Sequence, residues 1–492
     1  MLYHKSIQSK GEKTMKKYLC LFLAILMILS LCACSGSDAA KETTAATEAT
    51  VEEAKPQLEI GYGKVNITPS YSVGLSSSGD EKNRRSTGLI SYVFATCIAV
   101  RFGEDTYLMY TVDTISMPEE LMKILRETIS SVVPEVKPEN IFLAATHTHS
   151  APANAIADNE AEGKYRIDFI NYIPQAAKLA IKDLAPATMS ACKFDLEGMN
   201  FVRHYWAIDG SSAGNNYGNQ NIEYKEHTYD VNHEMVLVNF KREGKEDVMM
   251  VNWAAHPANP YNPAIGYLNI CADHPGWCRD RLEELTGAKV AYFNGASGDV
   301  VPDSKVTAIN HGLDAKQYGI KLAELAYEHY SELKSVEVDD VKATQQVVQC
   351  NVEHEGEHLL VQCMDIQQIR YNVDKATADQ MARDIGLSSA YHANAIISRS
   401  KMGATDPRTL NAFRIGPIGF TTGTYEMASE HAGELKAQSP FEYTFLMCGN
   451  TKYIPREEAI DYQSYEGTNR PYTRETGDML VGKYVEMLNS IK

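Results

Sequence analysis

An apolar stretch that runs directly into two histidines constrains this chain more than any other feature of its sequence. Residues 141–145 are all apolar, and the segment THTHSAP follows at residues 146–152. The apolar run predicts a buried strand, and Pro152 cannot extend a sheet ladder. If the histidine segment is extended, alternate side chains share a face, so His147 and His149 project into one pocket. This pattern predicts a ligand site at the exit of the strand; two hydrogen-bonded loop histidines are the alternative.

Composition and charge narrow the class of protein. The chain has 492 residues, of which 44% are hydrophobic and 23% charged, and this balance is typical of a globular protein with a large core. Its length allows two to four domains. The formal net charge of −17 argues against a nucleic-acid partner, because nucleic-acid-binding proteins carry basic patches.

The front of the chain has the pattern of a secretory signal. Two lysines follow Met15, and residues 18–30 are almost wholly apolar, a run too short to span a membrane comfortably. The LCACSG segment that ends the run resembles a bacterial lipoprotein signal, with cleavage before Cys34 and lipid attached to its thiol. We therefore expect residues 1–34 to be a signal region with Met15 as the initiator. The mature protein would be lipid-anchored in the cell envelope, outside the cytoplasm; cleavage at an ordinary secretory site is the alternative.

A linker and a large globular part follow the signal. Residues 35–57 are rich in Ala, Thr, Glu and Ser without a hydrophobic period, which predicts a flexible tether. The globular domain is predicted to cover residues 58–492. Of the ten cysteines, Cys20, Cys32 and Cys34 precede it, and the other seven include no Cys-x-x-Cys pair. This spacing indicates neither a disulfide framework nor a zinc ribbon.

The first part of the domain predicts strands that alternate with helices. An alternating segment that ends in Thr-Pro predicts an edge strand at residues 58–67, and the apolar runs at 91–102 and 106–113 predict a hairpin. Pro118 predicts the first position of a helix whose apolar residues recur at helical spacing up to Val133. Because the histidine strand follows, this is a βαβ unit. It predicts an α/β fold with a mixed, partly parallel sheet covered by helices.

Later segments continue this pattern and bring further polar groups to strand ends. Helices are predicted at residues 168–184, 274–285, 313–333 and about 377–399, and strands at 233–241, 248–255, 288–293, 336–364 and 409–420. His256 follows one of these strands, and Asp299 lies in the glycine-rich turn after another. A zinc site needs about three protein ligands and an open position, and histidines from different strands suit that geometry. A structural role for His256 is the alternative.

The order of these motifs resembles the neutral (alkaline, non-lysosomal) ceramidase family, specifically its N-terminal catalytic domain. The resemblance runs from about Leu58 to the end of the chain. It rests on ITP at 67–69, THTHSAP at 146–152, WAAHP at 253–257, GDVVPD at 298–303, TYE at 424–426 with Glu430 and Lys436 following, and YIP at 453–455 with Tyr465 and Glu466. The resemblance implies the fold of that domain and hydrolysis of an amide bond.

The resemblance also implies a metal site. Carried over residue by residue, the family's zinc ligands fall on His147, His256, Glu426 and Tyr453, and the implied cofactor is Zn²⁺. The segment before Glu426 lacks the family's usual Pro-Gly, so Glu430 is the alternative ligand.

Three further residues match positions that the family uses beside the metal. His149 matches the second histidine of the motif, which contacts the substrate or the reacting water. Arg203 stands at the place of a family arginine that lines the pocket. Tyr465 follows Tyr453 at the family's spacing for a tyrosine that can stabilise the oxyanion; a tyrosine packed in the core is the alternative.

The sequence departs from the family at two places. Where the family's ceramidases have a serine before Pro302, this chain has Val301, which excludes acyl transfer through that serine and alters recognition of a substrate hydroxyl. Hydrolysis by a zinc-activated water does not need the serine, since metal binding lowers the pKa of water from about 15.7 to about 7. We expect the family's C-terminal β-sandwich-like domain to be absent from this protein, and its absence to open or reshape the substrate entrance.

Together these observations predict a lipid-anchored, extracytoplasmic zinc hydrolase that cleaves an amide bond in ceramide-like or other N-acyl substrates. Two alternatives stay open: a metal-dependent hydrolase of a different ester or amide, which Val301 favours, and a non-catalytic lipoprotein of the same fold that binds a ligand. If His147 and His256 share a zinc ion, their ring nitrogens lie within about 5 Å of each other.

Overall fold

Helices and strands form most of the residues that the computed structural model describes, which are 56–76, 84–154, 160–214, 223–258, 268–447 and 452–492. The strands are β1 Leu58–Asn66, β2 Gly88–Leu89, β3 Phe94–Phe102, β4 Asp105–Val112, β5 Ile141–Ala145, β6 Ala185–Asp195, β7 Phe201–Val202, β8 His204–Ala207, β9 Ser212–Gly214, β10 Tyr224–His227, β11 Glu234–Arg242, β12 Val248–Trp253, β13 Asn269–Ile270, β14 Lys289–Asn294, β15 Val300–Val301, β16 Lys334–Val336, β17 Val341–Asn351, β18 Thr405–Ile415, β19 Ile418–Thr422, β20 Glu426–Met427, β21 Tyr443–Met447 and β22 Tyr453–Ile454. The helices are α1 Glu119–Val132, α2 Glu160–Lys182, α3 Asp273–Thr286, α4 Ala315–Glu328, α5 Glu357–Asn372, α6 Lys375–Asp384, α7 Ala390–Ser400, α8 Ser429–Gln438, α9 Glu457–Asp461, α10 Tyr465–Asn469 and α11 Thr476–Ser490, with short 3₁₀ turns at Pro138–Asn140 and Tyr330–Glu332.

A large mixed sheet organises the described part of the chain. It has nine strands, in the order β14-β12-β11-β6-β1-β3-β4-β5, with β16 paired to β6. The pairs β4–β5 and β12–β14 are parallel, and the other neighbours are antiparallel. The predicted hairpins β3–β4 and β11–β12 and the unit β4–α1–β5 are all present. The predicted α/β fold with a partly parallel sheet is therefore confirmed.

A second sheet, β17-β18-β19-β21, packs against the first. Side chains of β3 alternate, so Cys97 packs in a cluster with residues of α1 and α2 while Ile98 packs in a cluster with the second sheet. From the second sheet, Phe413, Phe420 and Phe445 fill this inner cluster and are fully buried. Burial of each such ring contributes on the order of 1.5–3 kcal/mol. Helices α8 and α11 cover the outer face of the second sheet, giving the layer order helix, sheet, sheet, helix.

The large sheet is strongly curled. β5 and β14 stand at opposite ends of its strand order. Yet the hydroxyl of Thr111 in β4 donates to the carbonyl of Tyr292 in β14 at 2.5 Å, and the hydroxyl of Tyr62 in β1 donates to the carbonyl of Val290 at 3.2 Å. Because the sheet curls, strands that are far apart in its order come together across its concave face.

Four predictions about individual elements were wrong in detail. β1 is not an edge strand, since it pairs with β3 along its whole length and with β6 at Glu59 and Ile60; its Thr-Pro lies just beyond the ladder. Pro118 precedes α1 rather than beginning it. The strand predicted over 336–364 ends at Asn351, and its last part is the start of α5. The helix predicted over 313–333 ends at Glu328, where a 3₁₀ turn replaces its last part.

The predictions for the front of the chain concern residues outside the described part. The signal region, the tether and Cys34 all belong to residues 1–55. Residues Pro56–Lys492 form one compact unit. Among the described helices, none combines the length and the hydropathy that crossing a bilayer requires. The described cysteines are all buried and free.

Candidate functional site

Three histidines from two distant strand ends meet in one buried cluster. His147 and His149 follow β5, and His256 follows β12. The Nε2 atom of His149 lies 3.3 Å from Nε2 of His147 and 2.9 Å from Nε2 of His256. One ring nitrogen of each histidine lies within 4.8 Å of the others, the separation that shared tetrahedral ligands require. The curl of the sheet therefore brings the carboxyl ends of β5 and β12 to one point.

A turn, rather than the extended segment that the sequence suggested, brings the two histidines of the motif into one pocket. The strand ends at Ala145, and His147 has a left-handed backbone with φ of 68° rather than an extended one. The backbone N–H of His147 donates to Thr114 at 3.0 Å, and that of His149 donates to Pro257 at 3.1 Å. These bonds hold a turn that directs both rings to the same side. A left-handed non-glycine residue is uncommon and is typical of functional sites.

Backbone carbonyls fix the tautomer of two of the rings. Nδ1 of His147 donates to the carbonyl of Ile115 at 2.7 Å, and Nδ1 of His256 donates to the carbonyl of Ser297 at 3.0 Å. Because a carbonyl only accepts, Nε2 of each ring carries the lone pair and points into the cluster, as metal-binding histidines do. In the described part of the chain, Nδ1 of His149 makes no such bond. This difference favours His147 and His256 as ligands and leaves His149 for another role.

Glu426 completes the cluster. Its Oε2 atom lies 3.3 Å from Nε2 of His147, and the residue is 5% exposed. No hydrogen-bond donor from the described residues reaches this oxygen. A buried carboxylate oxygen without a partner is costly unless a cation compensates it. The alternative ligand, Glu430, is instead paired with Arg456, so the structure places Glu426 beside the histidines.

Tyr453 lies next to Glu426 through the backbone. The two residues pair in the short parallel ladder of β20 and β22, so a separation of 27 positions in the sequence becomes direct adjacency. The Tyr453 hydroxyl accepts from Nη2 of Arg203 at 3.4 Å, and the side chain is buried. Burial, followed by the nearby Glu426 carboxylate, raises the pKa of Tyr453 well above its usual range. The side chain is thus a neutral phenol in the absence of a cation.

A glycine allows the loop after β14 to close over this ladder. A side chain at Gly298 would meet the backbone oxygens of Glu426 and Met427 at 3.0 Å, so glycine allows this close approach without displacing the ladder. The next residue, Asp299, does not join the histidines. Its carboxylate accepts from the Tyr229 hydroxyl and from the backbone N–H of Ser429 at 3.0 Å. Asp299, which the sequence places after a third strand, is therefore not part of the histidine cluster, because its charge is used at the N-terminus of α8.

Arg203 is held between the loop and a buried acid. Its Nη2 donates to the Gly298 carbonyl at 2.7 Å, and its guanidinium pairs with Glu466. The other oxygen of Glu466 accepts from Nε2 of His204. Burial alone would raise the pKa of Glu466, but Arg203 and His204 outweigh it and lower that pKa to about 2. The guanidinium therefore has a permanent counter-charge and a fixed position beside Tyr453.

Tyr465 stands at the same cluster. Its ring centroid lies 5.6 Å from that of Tyr453, and the Arg203 guanidinium lies 5.6 Å from the Tyr465 ring. On its other side Tyr465 stacks on Tyr391 of α7, with the two hydroxyls 3.4 Å apart. The ring is half-buried. The structure therefore brings Tyr465 to the predicted site, and helix α7 contributes Tyr391, which the sequence analysis did not identify.

The buried setting keeps the imidazoles of His149 and His256 neutral. Burial is the largest cause that lowers the pKa of both His149 and His256 well below the usual range. For His149 the neighbouring His147 adds to this effect, and for His256 Arg203 does. Neutral imidazoles and ionised carboxylates are the forms in which such side chains act as metal ligands. The donor set, the burial and the unpartnered Glu426 oxygen fit Zn²⁺.

Comparison with known proteins places this geometry in a known fold. No protein-family model and no curated protein sequence matches the chain. The crystal structure of neutral ceramidase from Pseudomonas aeruginosa superimposes with a TM-score of 0.66 at 14% identity, covering 88% of this chain and 74% of that chain. The chain has the neutral ceramidase fold. A structure described as ceramidase complexed with C2 gives a TM-score of 0.64 at 14% identity, covering 88% of this chain and 75% of that chain.

The neutral ceramidase fold confirms the resemblance that the motifs indicated. The structure also locates Val301, at which the sequence departs from the family's motif. Val301 lies in β15, which pairs with β7 beside Arg203, and its side chain is half-buried. The neighbouring Val300 is fully buried, and its carbonyl accepts from the backbone N–H of His256 at 2.9 Å. Position 301 is thus one residue from the histidine cluster and accessible to a ligand.

Three residues that brace the site had no role assigned from the sequence, although Glu466 was part of a matched motif. Arg84 donates to the backbone carbonyl of His149 at 2.6 Å and to the Ser150 hydroxyl at 3.3 Å. His204 and Glu466 form the buried pair behind Arg203. His204 and Glu466 directly follow Arg203 and Tyr465, and adjacency to predicted site residues is the signal that could have identified them.

Proposed function

We propose that this protein is a zinc-dependent hydrolase that cleaves the amide bond of ceramide-like or other N-acyl substrates. The observation that carries the proposal is the convergence of three imidazole nitrogens with the unpartnered Glu426 carboxylate, inside a neutral ceramidase fold. His147, His256, Glu426 and Tyr453 would hold the ion. When bound, Zn²⁺ polarises a carbonyl and lowers the pKa of a water molecule to about 7.

The other residues of the site have distinct roles in this proposal. Because burial and the adjacent His147 keep the pKa of His149 low, its neutral ring accepts a proton from the attacking water and passes it to the leaving nitrogen. Arg203, held by Glu466, keeps Tyr453 in place and contributes positive charge near the developing oxyanion. The half-buried Tyr465, whose hydroxyl lies 3.4 Å from that of Tyr391, would donate to the same oxyanion when substrate is bound.

Elemental analysis combined with hydrolysis of a panel of N-acyl substrates tests the proposal. We expect about one tightly bound zinc per chain at this site and turnover of at least one amide substrate. A second candidate function, hydrolysis of a different small ester or amide, is favoured by Val301, and esters belong in the same panel. Stable protein without zinc and without turnover would instead support a non-catalytic ligand-binding protein.

Serine at position 301 tests how the substrate is recognised. A valine presents only methyl groups where the family's ceramidases present a hydroxyl, so hydrolysis of authentic ceramide is expected to be weak relative to another acyl substrate. Val301→Ser should raise kcat/KM for ceramide roughly 3- to 10-fold, the worth of one hydrogen bond. Zinc content should stay unchanged, because the side chain is not a proposed ligand.

The matched control for this experiment is Val301→Ala, which removes the same methyl groups without adding a hydroxyl and should give no gain. If the unmodified protein already hydrolyses ceramide as well as any other N-acyl compound, Val301 does not restrict recognition. Ceramide itself would then be the preferred assignment.

The same proposal includes a lipid anchor on Cys34, which would hold the domain at an envelope membrane. Cys34→Ser should move the protein from the membrane fraction to the soluble fraction or leave the precursor unprocessed. Cys97→Ser, a change at a buried cysteine of the domain, is the control and should leave fractionation unchanged. Membrane fractionation and processing that are identical in Cys34→Ser and the unmodified protein would count against lipidation.

A further inference from the structure

A second group of metal-binding side chains lies where helix α11 packs on helix α8. His431 and Glu434 are one turn apart on α8, and Asp478 is in the first turn of α11. One nitrogen of His431 and one oxygen of each carboxylate lie within 4.8 Å of one another. Two of these residues are surface carboxylates, and such groups are common without any ion. The buried histidine is the feature that distinguishes this cluster from an ordinary pair of surface carboxylates.

The ring of His431 is rigidly held. The residue is 6% exposed, and its Nε2 donates to the carbonyl of Pro455 at 3.2 Å. A side chain at position 477 would meet the same Nε2 at 2.3 Å, so Gly477 is required for α11 to begin against the ring. The imidazole is therefore clamped between a carbonyl and a helix backbone. Such support from surrounding groups is what orients a metal-binding histidine.

This arrangement directs a lone pair at a carboxylate. Because Nε2 carries the hydrogen that Pro455 accepts, Nδ1 of the neutral ring is an acceptor. It has no hydrogen-bond partner among the described residues, and the nearest acid oxygen is Oε2 of Glu434, 3.5 Å away. Nδ1 is buried, whereas the Glu434 side chain is 46% exposed; a cation between these two acceptors would give the buried nitrogen the partner that it lacks. A proton on Nδ1 would satisfy Glu434 alone, whereas a metal ion would satisfy Glu434 and Asp478 together.

We propose that Nδ1 of His431 and the carboxylates of Glu434 and Asp478 form a second divalent metal site. One imidazole and two carboxylates with room for water suit Zn²⁺ or a similar first-row ion. The ion would fasten α11 to α8, which begins three residues after Glu426. Through Pro455 it would also brace the strand that carries Tyr453. This site is structural, and it stands whether or not the proposed hydrolase activity is correct.

Zinc stoichiometry tests the proposal. The full chain is stripped with a chelator, equilibrated by dialysis against Zn²⁺, and analysed for bound metal. The unmodified protein should bind about two ions per chain, and Glu434→Gln and Asp478→Asn should each bind about one. Both side chains are exposed, and each substitution keeps the size and shape of the side chain, so the fold should be preserved. Glu486→Gln, which removes another exposed acid from α11, is the control and should bind about two.

Variants of the two sites separate the two proposals. His147→Ala should lose one ion and keep the second, and His147→Ala combined with Asp478→Asn should bind none. Zinc should also raise the melting temperature of His147→Ala but not that of the double variant. If Glu434→Gln and Asp478→Asn bind as much zinc as the unmodified protein, the second site does not exist. Loss of zinc only in these two variants would support the second site and contradict the proposed hydrolase centre.

Discussion

Alanine at position 147 is expected to release zinc from the histidine cluster and to abolish hydrolysis. The change removes the nitrogen that faces both Oε2 of Glu426 and Nε2 of His149. Metal catalysis contributes several kcal/mol to lowering the barrier, so kcat/KM should fall at least about 10³-fold. Elemental analysis after dialysis and kinetics with the best substrate of the panel provide the two measurements.

His149→Ala is the matched comparison, since it removes an equally close ring from the same motif. This variant should keep zinc and lose about 10²- to 10⁴-fold in kcat, the range for removal of a general acid or base. The backbone supports His147 rather than His149 as the ligand. Nδ1 of His147 donates to the carbonyl of Ile115, which leaves the lone pair of its Nε2 atom for the metal. Equal loss of zinc in both variants would mean that His149 is a ligand and that the assigned roles are wrong.

Local pattern predicted the elements that place these histidines. The apolar run before His147 gave β5, and the apolar run before His256 gave β12. An apolar run of this kind predicts a buried strand from local sequence alone, so these two predictions needed no knowledge of the fold. The turn at His147 was not predictable in this way, because a left-handed residue at φ of 68° depends on bonds to distant backbone such as that of Thr114.

Contacts between segments that are far apart in the sequence could not be predicted from local sequence patterns. Glu426 and Tyr453 became candidates only through the family resemblance, and their adjacency depends on a ladder of two residues per strand. The apolar residues at 359–364 suggested the end of a strand. The segment instead forms α5, since Cys363 and Ile366 pack with the neighbouring helices α6 and α7. Tertiary packing decided the element there, as it often does for short apolar segments.

Glutamine at position 466 is expected to destabilise the whole fold. Glu466 is 1% exposed and balances the Arg203 guanidinium, which is 6% exposed. Removing one partner of a buried ion pair leaves the other charge uncompensated and costs about 3–5 kcal/mol. The free energy of unfolding from urea titration at pH 7 should fall by that amount. Glu458→Gln, at a side chain 63% exposed and paired with Arg456, is the control and should cost at most about 1 kcal/mol.

The pH dependence of this difference tests the charge itself. Burial would raise the pKa of Glu466, but Arg203 and His204 lower it from 4.5 to about 2. A lowered folded-state pKa means that the ionised carboxylate stabilises the fold above about pH 4.5, by about 3 kcal/mol at about 1.4 kcal/mol per pKa unit. This contribution is lost as the pH falls from about 4.5 to about 2. The stability gap between the unmodified protein and Glu466→Gln should therefore be full at pH 7 and shrink steadily below pH 4.5. A gap that stays constant down to the acid-unfolding limit would show that packing, rather than the buried charge, holds Arg203 in place.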